Sequence, residues 1–74
     1  MPKKTARPLA IDILENWMAE NRYNAMEFGA EVGLSRPSMS RILNNERRPG
    51  FDAMTRIKKF TKGAVDYEHW AVKN

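Results

Sequence analysis

The chain contains no cysteine, which excludes a disulfide framework and a thiolate zinc site. It has one histidine, His69, so metal binding or acid–base chemistry through imidazole has little to draw on. No apolar run approaches the roughly 18 residues that a membrane-spanning helix needs. The basic start, Met1-Pro2-Lys3-Lys4-Thr5-Ala6-Arg7-Pro8, is not followed by the apolar stretch of a secretory signal. β-Branched residues are sparse and nothing alternates long enough to read as a strand. There is no glycine-rich phosphate loop and no carboxylate pair at a defined spacing, so an enzyme is not expected. What these absences leave is an all-α, soluble, cytoplasmic domain for which no cofactor, metal or small-molecule ligand is expected.

The 74 residues, 42% of them hydrophobic, suffice for one domain and no second. A chain of this size buries only about 60–65% of its unfolded surface, which makes a partner subunit useful to it. The net charge is +4, and it is unevenly spread. Residues 1–7 carry Lys3, Lys4 and Arg7, and read as a flexible basic arm. Residues 8–31 hold Arg22 against Asp12, Glu15, Glu20, Glu27 and Glu31. Residues 32–63 hold eight cations (Arg36, Arg41, Arg47, Arg48, Arg56, Lys58, Lys59, Lys62) against Glu46 and Asp52. A basic middle beside an acidic first third is the footprint of one face meeting a polyanion.

Helical spacing recurs along residues 8–74. A first helix is expected over 9–21, entered at Pro8, with Leu14/Met18 and Ile13/Trp17 four apart. A second is expected over 25–32, with Asn24 as N-cap, Glu27 completing a capping box and Gly33 as the stop. A third is expected over 36–45 after Ser35. Met39, Ile42 and Leu43 form its apolar stripe, and Arg36, Ser38, Ser40, Arg41 and Asn44 its polar side. Pro37 suits a first turn but pushes Arg36 away from helical dihedrals, so the helix could instead begin one residue later with Arg36 at the cap. After the loop 45–50, a fourth helix spans 51–61, with Phe51, Met54, Ile57 and Phe60 three apart and Gly63 as its stop. Asp66 caps a last short turn, Tyr67 to Ala71. Leu14, Met18, Tyr23, Phe28, Val32, Leu34, Met39, Ile42, Met54, Ile57 and Phe60 are the expected core, with Trp17 either joining it or facing a partner.

Two short helices joined by about three residues with a glycine have the format of a helix-turn-helix. Gly29 allows close approach, Gly33 makes the turn, Leu34 plugs the corner, and Met39 and Ile42 return the next helix to the core. The run Gly29-Ala-Glu-Val-Gly33-Leu34-Ser35-Arg-Pro-Ser-Met39-Ser-Arg-Ile42 resembles the repressor-type helix-turn-helix of the phage Cro/CI and XRE families. Those families usually place Ala where Gly29 stands. Ser40-Arg41-Ile42-Leu43-Asn44 with Arg47-Arg48-Pro49 resembles the exit from their recognition helix, and Ile57 to Val65 the end of their fourth helix. The resemblance covers about residues 9–70 and implies a lambda-repressor-like fold of four to five short helices. It also implies a sequence-specific regulator that binds double-stranded DNA.

Residues near the N-terminus of a recognition helix reach base edges in the major groove. The resemblance therefore assigns base readout to Arg36, Pro37, Ser38, Ser40 and Arg41. Arg36 can fork onto guanine, Ser38 can donate or accept, and Pro37 can touch a thymine methyl. Arg41 also stands where it could pair with Glu31 or Asp52. Phosphate contacts are expected from Asn44, Asn45, Arg47 and Arg48 after the helix, and from Lys3, Lys4 and Arg7 in the arm. The start of the second helix is a further anion site. Many family members have glutamine just after its cap; here Ala25 stands there, and Asn24 or Tyr23 must substitute.

Three or four reading side chains are few for genomic discrimination, which favours a homodimer on an inverted-repeat operator. Val65, Tyr67, Trp70 and Val72 are apolar residues near the end of the sequence and outside the expected core, so the C-terminal segment is expected to form the two-fold contact. The alternatives are an antitoxin- or excisionase-type DNA-binding protein and, in a different class, a helical protein-binding adaptor using surfaces around Trp17 and Trp70.

Overall fold

In the computed structural model, which describes residues 7–71, the chain forms four α-helices and a closing 3-10 helix. These are α1 (Leu9–Glu20), α2 (Ala25–Val32), α3 (Arg36–Leu43), α4 (Phe51–Phe60) and the 3-10 helix Tyr67–Trp70. There is no strand among the described residues. The fold is all-α, as expected, and its layout is compatible with a small helix-turn-helix DNA-binding domain.

The helix ends follow from local chemistry. Pro8 precedes α1 in an extended conformation. Asn24 Oδ1 accepts from the Glu27 amide at 2.8 Å, and Glu27 Oε1 accepts from the Asn24 amide at 3.0 Å, a complete capping box. Gly33 closes α2 at φ 74°, and its neighbour Leu34 donates to the Gly29 carbonyl at 2.8 Å. Ser35, not Arg36, caps α3, so Pro37 sits within the first turn, where the missing amide proton leaves no helical bond unmade. Helix α3 is shorter than the expected 36–45. Asn44 is its C-cap, and Asn45 turns to φ 61°, which lets Glu46 donate back to the Arg41 carbonyl at 2.8 Å. Helices α1 and α4 end the same way, through Arg22 at φ 61° and Lys62 at φ 58°. The expected ends at 21 and 61 are thus one residue long.

Helix α2 packs on α3 and α4, and the 3-10 helix packs on α1 and α4. Ala10, Ile11, Leu14, Met18, Phe28, Val32, Met39, Ile42 and Ile57 form the centre, joined by Val65 and Trp70. Every expected core residue lies in this cluster or packs against it. Trp17, Tyr23, Phe28 and Phe60 add an aromatic group with ring centroids 5.5–6.2 Å apart, mostly edge to face. Such pairs are worth about 0.5–1.5 kcal/mol each beyond the area they bury. Thr61, the one buried polar residue of the described chain, is satisfied: its Oγ1 donates to the Ile57 carbonyl at 2.8 Å and accepts from the Val65 amide at 3.2 Å. That bridge turns the chain inward after α4 and delivers Val65 and Trp70 to the core.

Candidate nucleic-acid interface

Met39 and Ile42 bury one side of α3, with Leu43 half-buried beside them. At about 100° per residue, this leaves Pro37 and Arg41 nearest the centre of the opposite side, with Arg36 and Ser40 on one flank and Ser38 on the other. Arg36, Pro37, Ser40 and Arg41 are exposed. The five expected base readers thus border one continuous outward surface. Among the described residues, neither Arg36 nor Arg41 has an ion-pair partner, and Glu31 and Asp52 are not engaged by Arg41. Two guanidinium groups on an outward helix face, with no carboxylate on that face, make a surface suited to a polyanion.

The surroundings of α3 are more structured than its sequence implies. Ser38 Oγ accepts from the Ser35 hydroxyl at 3.1 Å and from Arg47 Nη1 at 3.3 Å, so the loop after the helix is tied back to its first turn. Arg48 Nη1 donates to the Trp70 carbonyl at 2.8 Å. Arg48 is therefore partly committed to closing the fold, although a guanidinium has further N–H groups to offer. Asn44 is exposed just beyond the helix and Asn45 is half-buried.

At the start of α2 the expected anion site is already served. The Glu27 carboxylate takes the Asn24 amide, and the Asn24 side chain is spent on the Glu27 amide. A second anion there meets a like charge. Tyr23, offered as a substitute contact, is half-buried, with its ring in the aromatic group. Arg7, expected to belong to a flexible basic arm, is instead engaged. Arg7 folds onto α1, with Nε 3.2 Å from Asp12 Oδ1 and Nη2 2.9 Å from Glu15 Oε1, because α1 presents two carboxylates one turn apart. Lys3, Lys4 and Val72 lie outside the described residues.

The expected two-fold contact is corrected at two of its residues. Val65 is 0% and Trp70 2% exposed, both in the chain's own core, because the Thr61 bridge directs this segment inward. Tyr67 remains half-buried at the surface, where its ring stacks on Phe51 with centroids 5.2 Å apart and planes 8° from parallel. Phe51 is 71% exposed. It opens the three-apart stripe of α4 but, unlike Ile57 further along, stays outside the core, with the Tyr67 ring as its stacking partner. Tyr67 also shares a hydrogen bond with Thr55 Oγ1 at 2.8 Å, and Lys58 Nζ lies 4.9 Å from its ring centroid. Thr55, Lys58, Lys59, Lys62, Gly63 and Tyr67 line an open groove of about 400 Å³. In the sequence these lysines stand out only as part of the basic middle of the chain. The spacing of 55, 58, 59 and 62 (one face of a helix) was the available signal that they act together.

Asp66 caps the 3-10 helix. Its carboxylate accepts from the Tyr67 amide at 2.6 Å and lies 3.4 Å from Lys58 Nζ. Foremost through the Tyr67 hydrogen bond, and also through Lys58, its pKa is held below the ordinary carboxylate range. No group of three or more metal-ligating side chains occurs among the described residues, and no helix there is long and apolar enough to cross a membrane.

Compared with known proteins, the chain is 41% identical over 39 residues to a Bacillus subtilis (strain 168) protein described as the uncharacterized HTH-type transcriptional regulator YvzC. The match covers 53% of this chain and 51% of that protein, so the chain spans about half the length of the curated relative it matches. No protein-family model and no solved structure matches. The likeness, though confined to part of each chain, is to a helix-turn-helix regulator and agrees with the fold.

Proposed function

We propose that this protein is a sequence-specific, double-stranded-DNA-binding transcriptional regulator of the Cro-like repressor type. It lays α3 in the major groove, acts in the cytoplasm and performs no catalysis. The observation that carries the reading is the outward face of α3, where Arg36 and Arg41 stand exposed without ion-pair partners among the described residues, beside Pro37, Ser38 and Ser40. The partial likeness to an HTH-type transcriptional regulator supports the same class. Asn44, Arg47 and the remaining donors of Arg48 flank that face as phosphate contacts. The adaptor alternative loses its surface, because Trp70 is buried and Trp17 is half-buried in the aromatic group. The homodimer on an inverted repeat remains part of the proposal, with its contact moved to the exposed Phe51 and the half-buried Tyr67 stacked on it.

Selection of binding sites from random duplexes, followed by anisotropy titrations over a range of salt, tests the reading. The logarithm of affinity should fall with the logarithm of salt at a slope of several units as bound counterions are released. Arg36→Ala should cost about 1–3 kcal/mol on the selected site and little on random duplex. A flat salt plot would remove DNA as the partner, and equal losses on both duplexes would remove Arg36 from base reading.

A further inference from the structure

The hydroxyl oxygen of Ser38 sits between two donors, Ser35 Oγ at 3.1 Å and Arg47 Nη1 at 3.3 Å. A serine oxygen has two lone pairs and one proton, and a guanidinium can only donate. With both lone pairs engaged, the proton is what Ser38 offers an incoming group. The positive charge on Arg47 draws on the same oxygen and strengthens its O–H as a donor. Ser35 is itself anchored, since its Oγ accepts from the Ser38 amide at 3.3 Å as the cap of α3. The hydroxyl is therefore held from two sides, by the helix cap and by the loop that follows the helix.

We propose that Ser38 reads a base edge as a donor only, and that Arg47 is the positioning residue that sets this polarity. The proposal rests on the DNA-binding reading above and assigns it a chemical preference. In the major groove guanine offers N7 and O6, adenine N7 and thymine O4 as acceptors, whereas cytosine offers only its N4 amino donor. A free serine hydroxyl serves donors and acceptors alike. Held as it is here, Ser38 accommodates guanine, adenine or thymine at the edge it faces and rejects cytosine. Arg47 then contributes to specificity as well as to phosphate attraction, although it lies in a loop and need not touch a base.

The test measures binding to all four bases at every position of the selected site, for the wild type, Ser38→Ala, Ser38→Thr, Arg47→Met and the double variant. Thermal melts of the free variants confirm that each is folded, and Ser38→Thr retains the hydroxyl should Ser38→Ala fold poorly. The wild type should disfavour cytosine at one position by roughly 5- to 100-fold. Ser38→Ala should flatten the preference at that position alone, and Ser38→Thr should keep it. Arg47→Met should weaken binding generally and also flatten that same position, with the double variant no flatter there than Ser38→Ala. Uniform weakening by Arg47→Met, with cytosine still rejected, would overturn the positioning role. Tolerance of cytosine at the position that Ser38→Ala affects would overturn donor-only reading. A wild type that selects no sequence at all would instead overturn the DNA-binding reading itself, so the two failures are distinct.

Discussion

Gly29 shows how one residue sets the spacing of two helices. A β-carbon there would lie 2.6 Å from the Leu34 carbonyl oxygen and 2.8 Å from Met39 Cγ. The Met39 side chain can move, but the Leu34 carbonyl is backbone, fixed by the turn that Gly33 makes. The alanine common at this position in the Cro/CI and XRE pattern does not fit this α2–α3 pair. Gly29→Ala is expected to lower stability by about 1–3 kcal/mol through overpacking, despite a gain of about 1 kcal/mol in helix propensity. Urea unfolding monitored by tryptophan fluorescence measures it, and an unchanged or higher midpoint would show that the turn yields. The need for a small residue was legible from the four-residue spacing to Gly33. That alanine is already too large was not, because the distance depends on how closely α3 docks.

At the scale of elements, the 3-10 helix Tyr67–Trp70 is the least self-sufficient piece. Four residues cannot hold a helix by backbone bonds alone, and this one is fastened from several sides. Asp66 caps it, His69 Nδ1 accepts from the Asp66 amide at 2.9 Å, and Arg48 Nη1 holds the Trp70 carbonyl at 2.8 Å. Because the Tyr67 hydrogen bond chiefly lowers the Asp66 pKa, the charged carboxylate stabilises the folded state. That contribution is present above the ordinary aspartate value and is lost as pH falls through the lowered one. Melting temperatures of the wild type and Asp66→Asn should therefore differ near neutrality and converge in acid. Curves that stay parallel would show that the cap does not stabilise the fold. The cap was legible as an Asp before a short apolar turn. Its bonds to Lys58 and to His69 needed the element's final position.

For the whole molecule, the question is which apolar surface the fold keeps and which it leaves for a partner. Trp70 is kept: it is buried against α1, and its Nε1 has no hydrogen-bond partner among the described residues. Trp70→Ala is expected to cost about 3–5 kcal/mol, a large part of what a domain of this size can hold. Phe51→Ser should lower the melting temperature of the free protein far less than Trp70→Ala does, by the exposed stack on Tyr67 that it removes. If the proposed homodimer forms on an inverted repeat, the substitution should reduce the number of chains bound per site, measured by sedimentation of the DNA complex. A folded Trp70→Ala that binds as a single chain, beside a Phe51→Ser that still pairs, would return the two-fold contact to the C-terminal turn.

The helices, their order and the face that α3 presents could be read from the amino-acid sequence. Each of these depends on neighbours within about one turn: caps such as Asn24 and Ser35, the stop at Gly33, and the stripe of Met39, Ile42 and Leu43. It also separated the basic middle of the chain from the acidic first third. Side chains that meet residues beyond their own helical turn are placed by the way the helices dock and the chain turns between them. Arg7 folds onto Asp12 and Glu15, Arg48 closes onto Trp70, Val65 and Trp70 enter the core, and Phe51 stays outside. An apolar residue near a chain end reads the same whether it covers its own core or faces a partner. What separates the two is the direction in which the chain leaves α4, and here the Thr61 hydroxyl turns it inward by accepting the Val65 amide.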